Sequence, residues 1–165
     1  MTIAQARSDA TLALTYWDVD HYGRPLIPVD PVKIARTLGL LIYASELDDD
    51  VSGVLVKQNG GIPAIHLNVR DAPVRQRFSC AHEIGHFWRR GAVDNFGYVD
   101  KRDALASAGT DPEEIYANRF AAELLMPAQY VRDLATQGAK PESLAARFGV
   151  SLDAMRYRFF NLGLK

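Results

Sequence analysis

The sequence predicts an α+β fold: a small antiparallel or mixed sheet packed on two long helices, followed by a helical C-terminal segment. Three observations predict it. Valine- and isoleucine-rich runs on either side of Asn59-Gly60-Gly61 read as two strands joined by a hairpin turn. Acid-then-proline signals at Asp30-Pro31, Asp71-Ala72-Pro73 and Asp111-Pro112 open helices around them. From Ala128 to Lys165 the punctuation is that of two or three short helices.

Composition sets the outer bounds. The chain has 165 residues, 48% hydrophobic and 24% charged, enough for one domain with a real core and a small appendage. The division expected is a main domain over residues 1–127 and a helical segment over 128–165 packed on it. Cys80 is the one cysteine, so no internal disulfide forms, which fits a reducing compartment. Residues 1–9 lack the apolar core of a signal peptide, and no apolar run reaches membrane-spanning length. A cytoplasmic protein with no membrane partner is expected. A net charge of −1 excludes a chain that is basic throughout, so any DNA contact must come from a local patch.

In chain order, Ala4 to Tyr16 reads as a helix with Leu12 and Tyr16 on one face. Trp17 to Pro28 is broken by Gly23, Pro25 and Pro28 and reads as a loop, in which His21 is a solvated histidine. Asp30 caps a helix over Val32 to Leu38 that Gly39 ends. Leu40 to Tyr43 follows as a strand, and the acidic run Glu46 to Asp50 as a solvated turn. Val51 to Gln58 and Ile62 to Val69 are the hairpin strands, with Ile65, Leu67 and Val69 on one face and His66 and Asn68 on the other. A helix runs from about Val74 to Arg89. Arg90 to Pro112 reads as a long connection containing Phe96-Gly97-Tyr98. The next helix ends at Met126-Pro127. Pro141 to Phe148, a turn at Gly149-Val150-Ser151 and Leu152 to Leu162 together read as a helix-turn-helix.

The chemistry centres on His82-Glu83-Ile84-Gly85-His86, the His-Glu-x-x-His spacing of helical zinc sites. Residues four apart share a helix face, so His82 and His86 aim at one point. Glu83, offset by one residue, is placed to take a proton from water rather than to bind metal. Gly85 leaves room for a neighbouring backbone. A catalytic zinc normally has three protein ligands. The helix after Asp111-Pro112 offers the third. Glu114 and Asn118 are four apart, so a carboxylate there could reach the metal while Asn118 holds a ligating histidine from behind. Glu113 lies about 100° round the helix and is the alternative. Glu123, on nearly the same face but further along, reads as a salt-bridge partner.

Arg77-Phe78-Ser79-Cys80-Ala81-His82-Glu83-Ile84-Gly85-His86-Phe87, followed by Glu114-Ile115-Tyr116-Ala117-Asn118-Arg119-Phe120-Ala121-Ala122-Glu123-Leu124-Leu125-Met126-Pro127, resembles the ImmA/IrrE family of zinc metallopeptidases. The resemblance covers Asp30 to Leu162. It implies a zincin-like domain with a gluzincin-like zinc site: ligands at His82, His86 and Glu114 and a general base at Glu83. It also implies a cytoplasmic endopeptidase that cleaves a helix-turn-helix repressor of the XRE type, encoded nearby, in a stress-response, mobile-element or toxin–antitoxin-like system. Cys80 departs from the apolar residue more usual there. A buried thiol packs as a small hydrophobe, while an accessible one near zinc would respond to oxidants.

Two other readings compete. One is a metal-bound regulatory or toxin-like protein without peptidase activity. The other is a DNA-binding regulator acting through residues 140–165, where Lys140, Arg147, Arg156, Arg158 and Lys165 face Glu142 and Asp153, a net charge of +3. Arg156 and Arg158 could meet phosphates. Met155, Phe159, Phe160 and Leu162, however, make that helix better suited to packing or partner docking. For the peptidase, Ile62 to Val69 is expected as an edge strand that an extended substrate extends. His66, Arg89, Tyr98 and Tyr116 are the candidates to stabilise an oxyanion.

Overall fold

The computed structural model describes residues 3–58, 60–90, 96–101 and 111–164. The elements are α1 (Ile3–Ala13), a 3-10 turn (Leu14–Tyr16), α2 (Pro31–Thr37), β1 (Leu41–Ser45), β2 (Val51–Lys57), β3 (Ala64–Asn68), α3 (Pro73–Arg90), β4 (Phe96–Lys101), α4 (Pro112–Leu125), α5 (Ala128–Thr136), α6 (Pro141–Phe148) and α7 (Leu152–Leu162). The α+β expectation is met. No described helix is long and apolar enough to cross a membrane.

The capping signals at Asp30 and Asp111 act as read. Asp30 Oδ1 accepts from Val32 N at 2.9 Å and Asp111 Oδ1 from Glu113 N at 2.8 Å, each ahead of a proline in the first turn. Gly39, at φ +85°, turns the chain out of α2 into β1. Ser151 Oγ accepts from Ala154 N at 3.1 Å and starts α7 after Gly149 closes α6.

The sheet has the order β1-β3-β2-β4. β1 runs parallel to β3, and β2 runs antiparallel to both β3 and β4. Two expectations are corrected here. β3 is interior, held by β1 on one side and β2 on the other, so it is no edge onto which a substrate could add. β4 forms inside the stretch 90–112 expected to be one connection. Its short Phe-Gly-Tyr-Val-Asp-Lys run carries a glycine and two charges and shows too little alternation to stand out. Gly53 pairs with Leu67 and Leu55 with Ile65, and these positions share the sheet face that α3 covers. Asn68 is buried and donates to the carbonyl oxygens of Val51 and Asp48 at 2.7 and 3.2 Å. It holds the acidic turn, whose Asp49 faces solvent and pairs with Arg70 at 2.8 Å.

Helix α1 packs through its small residues. Ala6, Ala10 and Ala13 are buried, α1 packs against α4, and Leu12 and Tyr16 lie at the surface. Alanines let the two helix axes approach closely. Polar ties then fix the contact: Tyr116 donates to Asp9 at 2.6 Å, and Arg7 pairs with Glu123 at 3.2 Å.

The C-terminal helices share the main core. Leu144, Phe148, Met155 and Phe159 belong to the same buried cluster as Ile34, Ile84 and Phe120. Arg77 on α3 donates to the carbonyl oxygens of Gly149 and Val29 at 2.9 and 2.6 Å. Buried Arg158 on α7 donates to Met126 O at 3.0 Å and pairs with Glu123. Arg158 therefore faces inward and is not available to a phosphate. Arg156 stays exposed and pairs with Glu142 at 3.0 Å.

Candidate metal centre

Helix α3 crosses α4 at Gly85. A Cβ built there would lie 3.1 Å from Ala117 Cα and 3.2 Å from Phe120 Cβ, so only glycine lets the two helices meet at this separation. The close crossing brings the first turn of α4 opposite the turn of α3 that holds both histidines. Glu114 Oε2 lies 3.2 Å from His82 Nε2, Glu114 Oε1 lies 3.2 Å from His86 Nε2, and the two Nε2 atoms are 3.0 Å apart. The donor atoms of His82, His86 and Glu114 all fall within 4.8 Å of one another. Both histidines are buried, whereas the Glu114 side chain is 30% exposed. The cluster thus has a closed side and an open one.

The electrostatics suit a cation. Hydrogen bonds from His82 and His86 hold the Glu114 carboxyl well below the usual carboxylate range. Burial holds His86 below the ordinary imidazole value, which favours the neutral, coordinating form. His82 Nδ1 lies 3.0 Å from Asn118 Oδ1. An amide oxygen only accepts, so Nδ1 carries a hydrogen toward Asn118, and Nε2 is the ring nitrogen that would be offered to a metal. Two imidazole nitrogens and one carboxylate around a partly open point form a donor set that fits zinc.

The structure brings together three of the four expected site residues by direct contact and gives the fourth a distinct position. Glu83 is fully buried, turned toward the sheet. A Cβ at Gly53 on β2 would meet Glu83 Oε1 at 3.3 Å. Gly53 thus makes space for this carboxylate, a residue the sequence reading missed. An isolated glycine in a strand signals close approach of another group, but not which group. Glu113 points elsewhere and pairs with Arg90. Glu123 is a buried salt-bridge partner, as expected.

The oxyanion candidates fall outside this cluster or outside what is described. His66 lies on the sheet face opposite α3, bonded to Ser45 at 2.9 Å and stacked on Tyr43 with 5.0 Å between centroids. Tyr116 turns to α1, and Arg89 lies over its ring at 4.8 Å. The Tyr98 side chain is outside the described residues. Cys80 is completely buried and burial pushes its thiol strongly up, so it packs as a hydrophobe. His21 is exposed against Tyr22.

The sequence matches the Peptidase_M78 family, the IrrE N-terminal-like domain, over residues 35–160. The chain belongs to this family. The match spans β1 to α7 and so contains the whole cluster. A comparison with curated proteins returned no match. Among solved structures, a transcriptional regulator of Mycobacterium tuberculosis shares the fold, with a TM-score of 0.57 at 12% identity over 96% of this chain and 51% of that one. The chain thus spans about half the length of that structure. The three-donor cluster of His82, His86 and Glu114 lies inside the region matched to the Peptidase_M78 family.

Proposed function

We propose that the protein is a zinc-dependent endopeptidase whose substrate is a helix-turn-helix repressor encoded near it. The observation that carries the reading is the convergence of His82, His86 and Glu114 on one half-open point, with Glu83 buried beside His82. His82, His86 and Glu114 would hold the zinc, which when bound polarises a peptide carbonyl and lowers the pKa of water to about 7. Glu83 takes a proton from the attacking water as the new C–O bond forms, and passes it to the amine nitrogen as the C–N bond breaks. Asn118 fixes the His82 ring, and Gly53 gives Glu83 its place against β2. The sheet edge on the Glu83 side is β4, beside β2, and an extended substrate would pair there.

The test is to mix the zinc-loaded protein with the transcription factor encoded beside its gene and look for two fragments. Glu83→Gln keeps size and hydrogen bonding but removes the base. Its zinc content and fold are expected to survive while cleavage falls by ~10²–10⁴-fold. A Glu83→Gln protein that keeps its full effect on the target gene in cells would mean that proteolysis is not the function.

A further inference from the structure

A groove of about 700 Å³ runs between α3, α4 and α7, next to the metal centre. Val74 and Phe78 line it from α3, Ile115 and Ala122 from α4, and Ala154 and Tyr157 from α7. Val74, Phe78 and His82 lie four residues apart along one face of α3. Asn118, which accepts the His82 hydrogen bond, also lines the groove. The groove therefore leads away from the histidines, and the helix-turn-helix-like segment forms its far wall.

Its charge is informative. Arg158 on the wall is neutralised by Glu123. Arg119 is only half-buried by its surroundings and makes no hydrogen bond or ion pair among the described residues. Asp153, the acid on the α7 side, is exposed in the first turn of its helix, where it complements the helix N-terminus. The groove also holds Arg75, whose Nε donates to Ser52 Oγ at 3.0 Å. An apolar trough whose wall carries Arg119, without an ion pair among the described residues, is complementary to an apolar chain segment that carries a carboxylate.

We propose that this groove docks the protein substrate through an apolar segment carrying one acidic residue, with Arg119 reading the acid and α7 serving as a substrate wall rather than a DNA reader. The proposal rests on the peptidase reading above and gives it a specificity determinant.

The probe is a random-peptide phage library selected against the intact Glu83→Gln chain, so that bound peptides are not consumed. Selected peptides are expected to carry an acidic residue close to apolar ones. Their affinity should drop about tenfold or more on Arg119→Glu, and replacing their acidic residue by lysine should restore binding to that variant. Ala154→Trp, which fills the trough, should block them. Circular dichroism and thermal melting establish that each variant is folded, and Arg119→Gln replaces the reversal if that one is not. Unchanged binding to the folded variants, or a selection that enriches nothing, would overturn the proposal. A cleavage assay separates it from the reading beneath. Zinc-loaded wild type that binds selected peptides through Arg119 yet cuts neither them nor the repressor refutes the peptidase and leaves the docking site. Cleavage with an unchanged KM in Arg119→Glu and Ala154→Trp refutes the docking site and leaves the peptidase.

Discussion

Glu113 and Glu114 are chain neighbours with opposite fates. Glu114 meets both histidines, and Glu113 pairs with Arg90. Glu114→Gln is expected to abolish stoichiometric zinc, while Glu113→Gln keeps it; metal analysis of the two purified variants decides, and loss in the second alone would shift the ligand by one residue. The same centre sets an acid dependence. In the metal-free protein burial lowers His86 below 6.5, and the two histidines lower Glu114 below 4.5. A group whose pKa is depressed in the folded state takes its proton first in the unfolded chain, so acid favours unfolding. The His86 contribution is complete above 6.5 and is lost as the pH falls below it, with Glu114 adding a further loss below 4.5. With chelator present, the melting temperature should therefore drop between about pH 7.5 and about pH 5.5, and His86→Gln should flatten that drop. A wild-type profile already flat there would contradict the assignment. His82, His86, Glu114 and Asn118 were legible because each pairing is a four-residue step along one helix, repeated on a second. Gly53 was not, because its partner Glu83 is thirty positions away across a sheet–helix contact.

At the level of elements, local signals decided most outcomes. Helix starts were readable from their caps, because an aspartate or serine oxygen meets the first backbone amides within three residues. Strand order was not readable. β3 has the alternation of a half-buried strand, yet nothing in it distinguishes an interior place from an edge, since β1 reaches it from before the hairpin and pairs in parallel. β4 has weak alternation and takes its place by pairing with β2 and packing against α3, neither of which is local to it in sequence. The buried face of α1 was not readable, because the small residues Ala6, Ala10 and Ala13, and not the larger Leu12 and Tyr16, form it where the helix meets α4. The α3–α4 crossing offers the sharpest test of element packing. Valine at Gly85 would press its Cβ on the backbone of Ala117 and on Phe120. Gly85→Val is expected to cost about 1–3 kcal/mol in urea unfolding. Because it parts the helices that carry the two histidines and Glu114, zinc affinity should fall with it. A variant that loses stability but binds zinc as tightly as wild type would show that the crossing does not position the ligands.

Across the whole molecule, Glu123 is the point where four helices meet. From α4 it accepts the Ala128 amide at the start of α5 at 2.9 Å, Arg7 from α1 at 3.2 Å, and Arg158 from α7. Arg158 also caps Met126 O, the carbonyl at which α4 ends. Burial lowers the Arg158 pKa, and the Glu123 carboxylate works against that shift, so each charge depends on the other. The sequence showed Glu123 as a salt-bridge candidate but gave no partner, because Arg158 is 35 residues on and reads equally well as a surface cation. This junction bears on how the chain divides at residues 127 and 128. Arg158→Ala leaves Glu123 buried with only the half-exposed Arg7 and one amide. Removing one partner of a buried pair costs about 3–5 kcal/mol, and the remaining Arg7 contact places the expectation at the low end. Replacing both charges, as Arg158→Met with Glu123→Leu, should recover part of the loss, although the Ala128 amide then goes unbonded. The cost should also be felt everywhere at once. Trp17 and Trp88 report on the first part of the chain, and far-UV circular dichroism reports on all the helices. In urea both signals are expected to move together in wild type and to shift together to lower denaturant in Arg158→Ala. If the dichroism of the variant breaks into two steps while tryptophan fluorescence stays at the wild-type midpoint, then residues 128–165 fold as a separate unit, and the ion pair joins two domains rather than closing one core.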